Sequence, residues 1–327
     1  MKLLEEGSKF SRIYRRISKA QGVSALLPLA IVVIFFTLMS DNFLNSYNIM
    51  NILRQASVYA IMATGMTFVI LTGGIDLGQG SVLALSAVVC AIIINITGNM
   101  WLGILGAIAV GAVIGLLNGI MIAYVKLPAF IMTLGSLYMI RGVTLYITNS
   151  TQVNVKGKET FSFIGQGFLL GVPFPVYLFV IIGVIAIIFL SYTTTGRHIF
   201  AVGSNQVSAR LSGVKVEKTL VVAYTLSSIC VALAGVVYLA RLTAAQPTAG
   251  EGYELESIAS AVVGGTSLAG GEGGILGTLI GAIIIAVIRN GLVIIGVGSY
   301  FTKIVVGLII VLAVTLDVVR RRVSTKN

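Results

Sequence analysis

The feature that most constrains this chain is residues 77–125, which contain no Asp, Glu, Lys or Arg. A membrane-spanning helix needs about 20 consecutive apolar residues. The stretch is too long for one such helix and suits two, with a break predicted at 97–99, where the sequence reads Thr-Gly-Asn. A second charge-free stretch, 160–196, ends in another apolar span. Both stretches predict a chain whose natural solvent is lipid.

Composition and charge placement agree with a membrane protein. The chain is 57% hydrophobic and 10% charged, whereas soluble domains carry about 25% charged residues. Fourteen of its 22 basic residues fall in 1–24, 192–219 and 317–327, outside the apolar runs. Basic loops stay on the cytoplasmic side of a membrane. The net charge of +11 therefore indicates topology, and we expect the lipid bilayer, not nucleic acid, as its partner.

The sequence predicts an all-α integral membrane protein, a polytopic bundle of about ten transmembrane helices. The spans are expected at about 23–40, 49–72, 80–97, 101–125, 128–148, 174–192, 218–241, 253–267, 275–296 and 301–317. Ten crossings put both termini in the cytoplasm, although eight or nine remain possible. This divides the chain into a cytoplasmic segment 1–22, a membrane domain 23–317 and a basic cytoplasmic tail 318–327. The span at 253–267 is the weakest because Glu251, Glu254 and Glu256 crowd its start, and a half-helix is the alternative.

Two glycine-rich segments predict a weak internal parallel repeat. Residues 73–80 and 264–271 share the pattern Gly-Gly-x-x-Leu-x-x-Gly, and each precedes a small-residue helix. Chance is the alternative, since the chain has 38 glycines. These loops supply the candidate pathway or gating residues, which are Gly73, Gly74, Asp76, Gly264 and Gly265. Asp76 could couple an ion, but a structural cap that pairs with backbone amides is favoured.

Charged residues at the outer ends of the predicted spans, Arg141 and Arg289 among them, are expected to form a basic rim around the outer mouth, and they supply a second candidate group. Arg54, Arg241 and Glu254 are candidates for docking a partner or polar solute at the outer mouth. The alternative is that these side chains only extend to the lipid headgroups.

The basic segment 193–217 is the most informative polar part of the chain. Ser204 or Asn205 can cap a short helix at about 206–212, and Gly213 can end it. Such a helix between two spans could receive force from a partner, although it could also be a plain connector. The sequence contains no phosphate-binding loop, metal cluster or catalytic triad. We therefore expect a transport subunit, not an enzyme, without a cofactor of its own.

Eight stretches stand out along the chain, namely 65–77 (GMTFVILTGGIDL), 128–134 (PAFIMTL), 141–142 (RG), 196–197 (GR), 203–205 (GSN), 210–213 (RLSG), 245–255 (AQPTAGEGYEL) and 264–271 (GGTSLAGG). Taken together, they resemble the permease subunits of ribose-type sugar ABC importers over nearly the whole chain. Gly78-Gln79 stands where Ser-Val is more usual, and Glu256 where Asp is common. These departures leave the identity of the substrate open.

The resemblance implies a bacterial inner-membrane permease for a ribose-like monosaccharide. Its implied partners are a second permease copy, a cytoplasmic ABC ATPase that hydrolyses ATP, and an extracytoplasmic sugar-binding protein. It implies that the coupling helix seated on the ATPase carries Gly203, Ser204, Asn205, Arg210, Leu211 and Gly213. Transport of branched-chain amino acids or nucleosides is the alternative within this class. An ion-coupled secondary transporter or a membrane enzyme is disfavoured, because buried relays and clustered catalytic groups are missing from the sequence.

Overall fold

A computed structural model of the chain describes residues 25–155 and 159–324. The predicted segment 1–22 and residues 325–327 of the predicted tail lie outside the described residues. Thirteen helices and four short strands make up the described part. In chain order they are α1 (Leu26–Met39), α2 (Ser46–Leu71), α3 (Gln79–Thr97), α4 (Met100–Ala123), α5 (Ala129–Thr148), β1 (Val153–Asn154), α6 (Glu159–Gln166), β2 (Phe168–Leu169), β3 (Val172–Pro173), α7 (Phe174–Tyr192), α8 (Thr194–Ser204), α9 (Gln206–Leu211), α10 (Val216–Leu242), β4 (Ala244–Ala245), α11 (Tyr253–Val263), α12 (Ile275–Ile294) and α13 (Ser299–Ser324).

Each of the ten predicted spans corresponds to a helix of the structure. The predicted break in the first charge-free stretch is confirmed, because α3 ends at Thr97, Gly98 adopts a left-handed conformation, and the side chain of Asn99 caps α4. Among the described residues, six helices are long and apolar enough to cross a membrane, namely α3, α4, α5, α7, α10 and α12. The chain is therefore an all-α, multi-pass membrane protein.

Helix α2 forms the centre of the bundle. From Ala56 to Leu71 every residue is buried, because α7, α10, α11 and α12 pack around this half of the helix. Its 26 residues extend about 39 Å at 1.5 Å per residue. A helix shielded from lipid by its neighbours has no need of uniform apolarity, which explains how α2 accommodates Thr64 and Thr67.

Glycines allow α4 and α10 to pack closely. A Cβ added to Gly111 would lie 2.5 Å from the carbonyl oxygen of Ser228, and one added to Gly115 would lie 2.6 Å from that of Tyr224. Small residues at such contacts let helix backbones approach in lipid, where packing replaces the hydrophobic effect as the driving force.

The two ends of the bundle differ in structure. At one end, the strand pair β1–β4, helix α6 and the hairpin β2–β3 cover the helix termini, and we call this end the strand face. At the other end lie residues 72–78, the segment containing α8 and α9, and residues 264–274, and we call it the loop face. The loop face contains most of the residues singled out from the sequence.

Helix α11 is a half-helix, which corrects the predicted full span at 253–267 in favour of its alternative. It has 11 residues, or about 16 Å, against a hydrocarbon core of about 30 Å. It ends at the loop face, so its first turn lies about halfway through the bundle. The nonhelical residues 246–252 connect this point to β4 at the strand face.

Candidate functional site

The predicted coupling segment folds as two short helices at the loop face. Helix α9 begins after Asn205, whose Oδ1 accepts a hydrogen bond from Ser208 N at 2.9 Å. The chain leaves α9 through Gly213, at φ +84°. The capped helix is thus confirmed, and Asn205, not Ser204, is its cap. Sequence reasoning missed α8, although the side chain of Thr193 signals its start by accepting from Gly196 N at 3.0 Å.

The end of α8 touches both glycine-rich loops. A Cβ on Gly203 would lie 1.8 Å from Leu71 O and 2.6 Å from Gly271 N. Gly271 N donates to Leu71 O at 3.0 Å, and a Cβ on Gly270 would meet Gly73 N at 2.8 Å. We call these five residues the glycine junction. It joins the coupling segment to the end of α2 and to the loop between α11 and α12 by direct backbone contact.

The predicted gating residues lie near this junction, in two places. Gly73 belongs to it, and Gly74 contacts the side chain of Tyr224, because a Cβ there would lie 2.4 Å from the hydroxyl. Gly264 instead lies against α12, where its Cβ would lie 2.3 Å from Gly277 O. Gly265, at φ +94°, lies in the same turn. The structure brings the two glycine-rich loops together through residues 71–73 and 269–271. Gly264 and Gly265 lie outside this contact.

Asp76 is a buried cap. It is 1% exposed, its Oδ1 accepts from Gly78 N at 3.0 Å, and its Oδ2 accepts from Ser227 Oγ at 3.2 Å. Gln79 extends the network by donating to Ser227 Oγ at 3.0 Å and to Met62 O at 3.4 Å. Met62 precedes the end of α2 by nine residues, or about 14 Å. The loop therefore turns back into the bundle before α3 begins, and Asp76 fixes that turn.

Two of the three predicted docking residues, Arg54 and Arg241, lie at the strand face, where each forms a hydrogen bond with Gln166. Arg54 Nη2 donates to Gln166 O at 2.9 Å, and its guanidinium lies 4.6 Å from the centroid of the Phe168 ring. Gln166 Nε2 in turn donates to Arg241 O at 2.8 Å. Glu254 lies elsewhere, in the first turn of α11, because that helix begins halfway through the bundle.

Two arginines that sequence reasoning assigned to the outer rim hold the half-helix in place. Arg141 Nη1 donates to the carbonyl oxygens of Pro247 and Ala249 at 2.5 and 2.9 Å. Arg289 forms an ion pair with Glu256 and donates to the hydroxyl of Tyr59 at 2.6 Å. The signal in the sequence was a charge inside an apolar stretch, but its partner is distant along the chain.

The fold defines a multi-pass helical membrane protein that has a half-helix inside the bundle and a segment of two short, capped helices at one end. A sequence model of the family described as branched-chain amino acid transport system / permease component matches residues 48–314, and the chain belongs to this family.

The curated relatives are similar over nearly their whole length. The ribose import permease protein RbsC of Escherichia coli is 46% identical over 296 residues, which cover 90% of this chain and 92% of that protein. RbsC of Bacillus subtilis is 44% identical over 298 residues (91% and 92%). The D-allose transport system permease protein AlsC of Escherichia coli is 39% identical over 288 residues (88% of each). The comparison with solved structures gave no significant match.

Proposed function

We propose that this chain is the membrane-spanning subunit of an ATP-driven ABC importer for a ribose-like monosaccharide. The observation that carries the proposal is the glycine junction, which connects α8, the helix that precedes α9, directly to the end of α2 and to Gly270 and Gly271 of the second glycine-rich loop. The names of the relatives support the sugar as cargo, since three proteins 39–46% identical to this chain are permeases for ribose or allose.

The proposed orientation places the loop face in the cytoplasm, with both termini there and about ten membrane segments. The basic segment around α9 supports it, because Lys and Arg are retained on the cytoplasmic side. The contact between Gly271 and Leu71 supports the weak parallel repeat, since both loops turn at the same face. The proposed compartment is the bacterial inner membrane.

The proposed partners are a cytoplasmic ATPase that binds α9, an extracytoplasmic sugar-binding protein at the strand face, and a second copy of the permease. Arg54 and Arg241 are the candidates for contacting the binding protein. Hydrolysis of ATP belongs to the ATPase, and we propose no cofactor for this chain. Closure of the ATPase would push α9 and α8, and the glycine junction would pass the movement to α2 and α11.

The proposed route for the sugar follows the nonhelical residues 246–252, between this copy and the second one. Gln246, Thr248 and Glu251 are exposed on this segment, although it enters the membrane interior. Nonhelical polar backbone at this depth is tolerated where it is buried in protein or lines a water-filled cavity. The exposed carboxylate therefore favours an aqueous pathway on this side of α11 over contact with lipid.

Reconstitution into liposomes tests the proposal. The permease, its ATPase and its binding protein should together concentrate radiolabelled ribose only when ATP is present at the ATPase side. Uptake should persist when ionophores dissipate proton and sodium gradients. Uphill uptake by the permease alone, driven by an ion gradient, would refute it. Competition by leucine instead of ribose or allose would select the amino-acid alternative that the family's description names.

A further inference from the structure

The turn between α4 and α5 shares the loop face with the coupling helix. In this turn, residues 124–128, Tyr124 and Val125 are 61% and 55% exposed. On α9, Val207 and Leu211 are 69% and 85% exposed. These apolar groups lie at the polar end of the bundle, on a turn and a short helix outside the six candidate spans. Such exposed apolar groups often mark a contact with another protein.

A polar cavity of about 400 Å³ lies between the turn and α9. Lys126 lines it from the turn, Gln206 and Arg210 line it from α9, and Gly74 and Tyr224 line its inner part. The cavity thus extends from the surface of the loop face to the loop that carries Asp76. A side chain inserted from outside would contact the turn, the coupling helix and the gating loop at once.

The cavity carries an unbalanced positive charge. Arg210 Nη2 and Glu217 Oε1 form an ion pair at 2.5 Å, and Lys126 lies within electrostatic reach of the same carboxylate. One carboxylate therefore serves two cations. Among the residues that the structure describes, Lys126 forms no ion pair of its own. An acidic side chain from a partner would complete the charge balance.

The backbone of Lys126 is held in an unusual conformation. Its φ is +62°, a left-handed region that side chains other than those of Gly, Asn and Asp rarely adopt. The amide of Leu127 donates to Met121 O at 3.2 Å and ties the turn to α4. A glycine would adopt this turn without strain. A lysine there adopts the turn at a cost in strain, which motivates the hypothesis that its side chain has a role of its own.

We propose that residues 124–128 form a second docking element for the ATPase, and that the cavity between Lys126 and Arg210 receives one acidic side chain of that subunit. This inference rests on the proposed function, because it takes the ATPase bound to α9 as its occupant. The partner surface has apolar groups opposite Val207 and Tyr124, with a carboxylate between them. The ATPase would then act on the coupling helix and on the start of α5 together.

Site-specific photo-crosslinking tests the proposal in the assembled importer. A benzophenone amino acid is placed singly at Tyr124, at Val207, or at Tyr146, which is 84% exposed and lies at the strand-face end of α5. Tyr124 and Val207 should both give adducts with the ATPase, and Tyr146 none. Adducts from Val207 but not from Tyr124 would overturn this inference and assign the turn to lipid contact. The absence of ATPase adducts from both positions would refute the proposed coupling helix itself.

Charge reversal provides an independent measurement. Lys126→Glu should weaken binding of the ATPase to the detergent-solubilised permease by about tenfold at low salt, as expected for a lost charge pair at an interface. High salt should narrow this difference, because ions screen exposed charges. Lys303→Glu, a matched change near the strand-face start of α13, should bind like the unaltered chain. Equal affinities for the two variants at low salt would overturn the charge assignment.

Discussion

Adding one methyl group at Gly203 should uncouple ATP hydrolysis from transport. In Gly203→Ala the new Cβ would lie 1.8 Å from Leu71 O, whereas ordinary contacts begin at 3.4 Å. The end of α8 must therefore move away from α2 by about 1.6 Å. Overpacking of this kind costs about 1–3 kcal/mol, and loss of the hydrogen bond from Gly271 to Leu71 adds about 1 kcal/mol.

Together these terms destabilise the glycine junction, in the packed arrangement described above, by about 2–4 kcal/mol. A free-energy change of 1.4 kcal/mol corresponds to a factor of ten in an equilibrium. The packed glycine junction therefore becomes at least about 25-fold less populated relative to arrangements in which α8 and α2 have separated. The assay is the ratio of sugar taken up to ATP hydrolysed in proteoliposomes, and this ratio should fall at least tenfold. The ATPase should still bind, because α9 and its cap are unchanged.

The control is Gly307→Ala in α13, where an added Cβ meets nothing within 4 Å. It should preserve both the ratio and the melting temperature. Gly271→Ala, whose Cβ would lie 2.8 Å from Ser204 Cα, should reproduce the uncoupling from the other side of the junction. A folded Gly203→Ala importer with an unaltered ratio would show that movement does not pass through this contact.

Three further changes test the other parts of the site. Asn205→Ala removes the cap of α9, which is worth about 1 kcal/mol, and should lower ATPase affinity in a pull-down titration, whereas Asn205→Asp should not. Arg289→Met leaves the carboxylate of Glu256 buried without its partner, so the permease should lose about 3–5 kcal/mol of stability and show a lower melting temperature. Asp76→Asn keeps an acceptor for Gly78 N and should retain ATP-driven uptake within about threefold, whereas Asp76→Ala should lose about 1–3 kcal/mol of stability.

Each of these predictions has an outcome that contradicts it. Equal ATPase affinity in Asn205→Ala would mean that α9 forms without its cap. If the double variant Arg289→Met, Glu256→Gln melts no higher than Arg289→Met, the unpaired carboxylate is not the cause of the loss. A dependence of uptake on the proton gradient that disappears in Asp76→Asn would favour ion coupling over a structural role.

Local patterns in the sequence were sufficient to locate a helix in each of the ten predicted spans and the cap of α9, although they missed α8 and the length of α11. Charge-free stretches, Gly98 and Asn99 predicted where α3 and α4 separate, because the interior of a bilayer requires continuous helices of a known length. Asn205 and Gly213 predicted the limits of α9, because capping depends only on residues a few positions apart. The motifs that resemble sugar permeases likewise lie along the chain and need no fold to be recognised.

The tertiary structure decided which of these residues meet. Gly203, Leu71 and Gly271 are far apart in sequence, and only the packed bundle brings their backbones into contact. The same applies to the ion pair between Arg289 and Glu256, since the pattern of isolated charges assigned Arg289 to an outer rim and gave it no partner. The length of α11 also depends on the tertiary structure, because Arg141 binds the carbonyl oxygens of Pro247 and Ala249 and so holds the nonhelical residues 246–252 inside the bundle. Local spacing specifies helices and caps, whereas contacts between distant segments depend on how the whole chain packs.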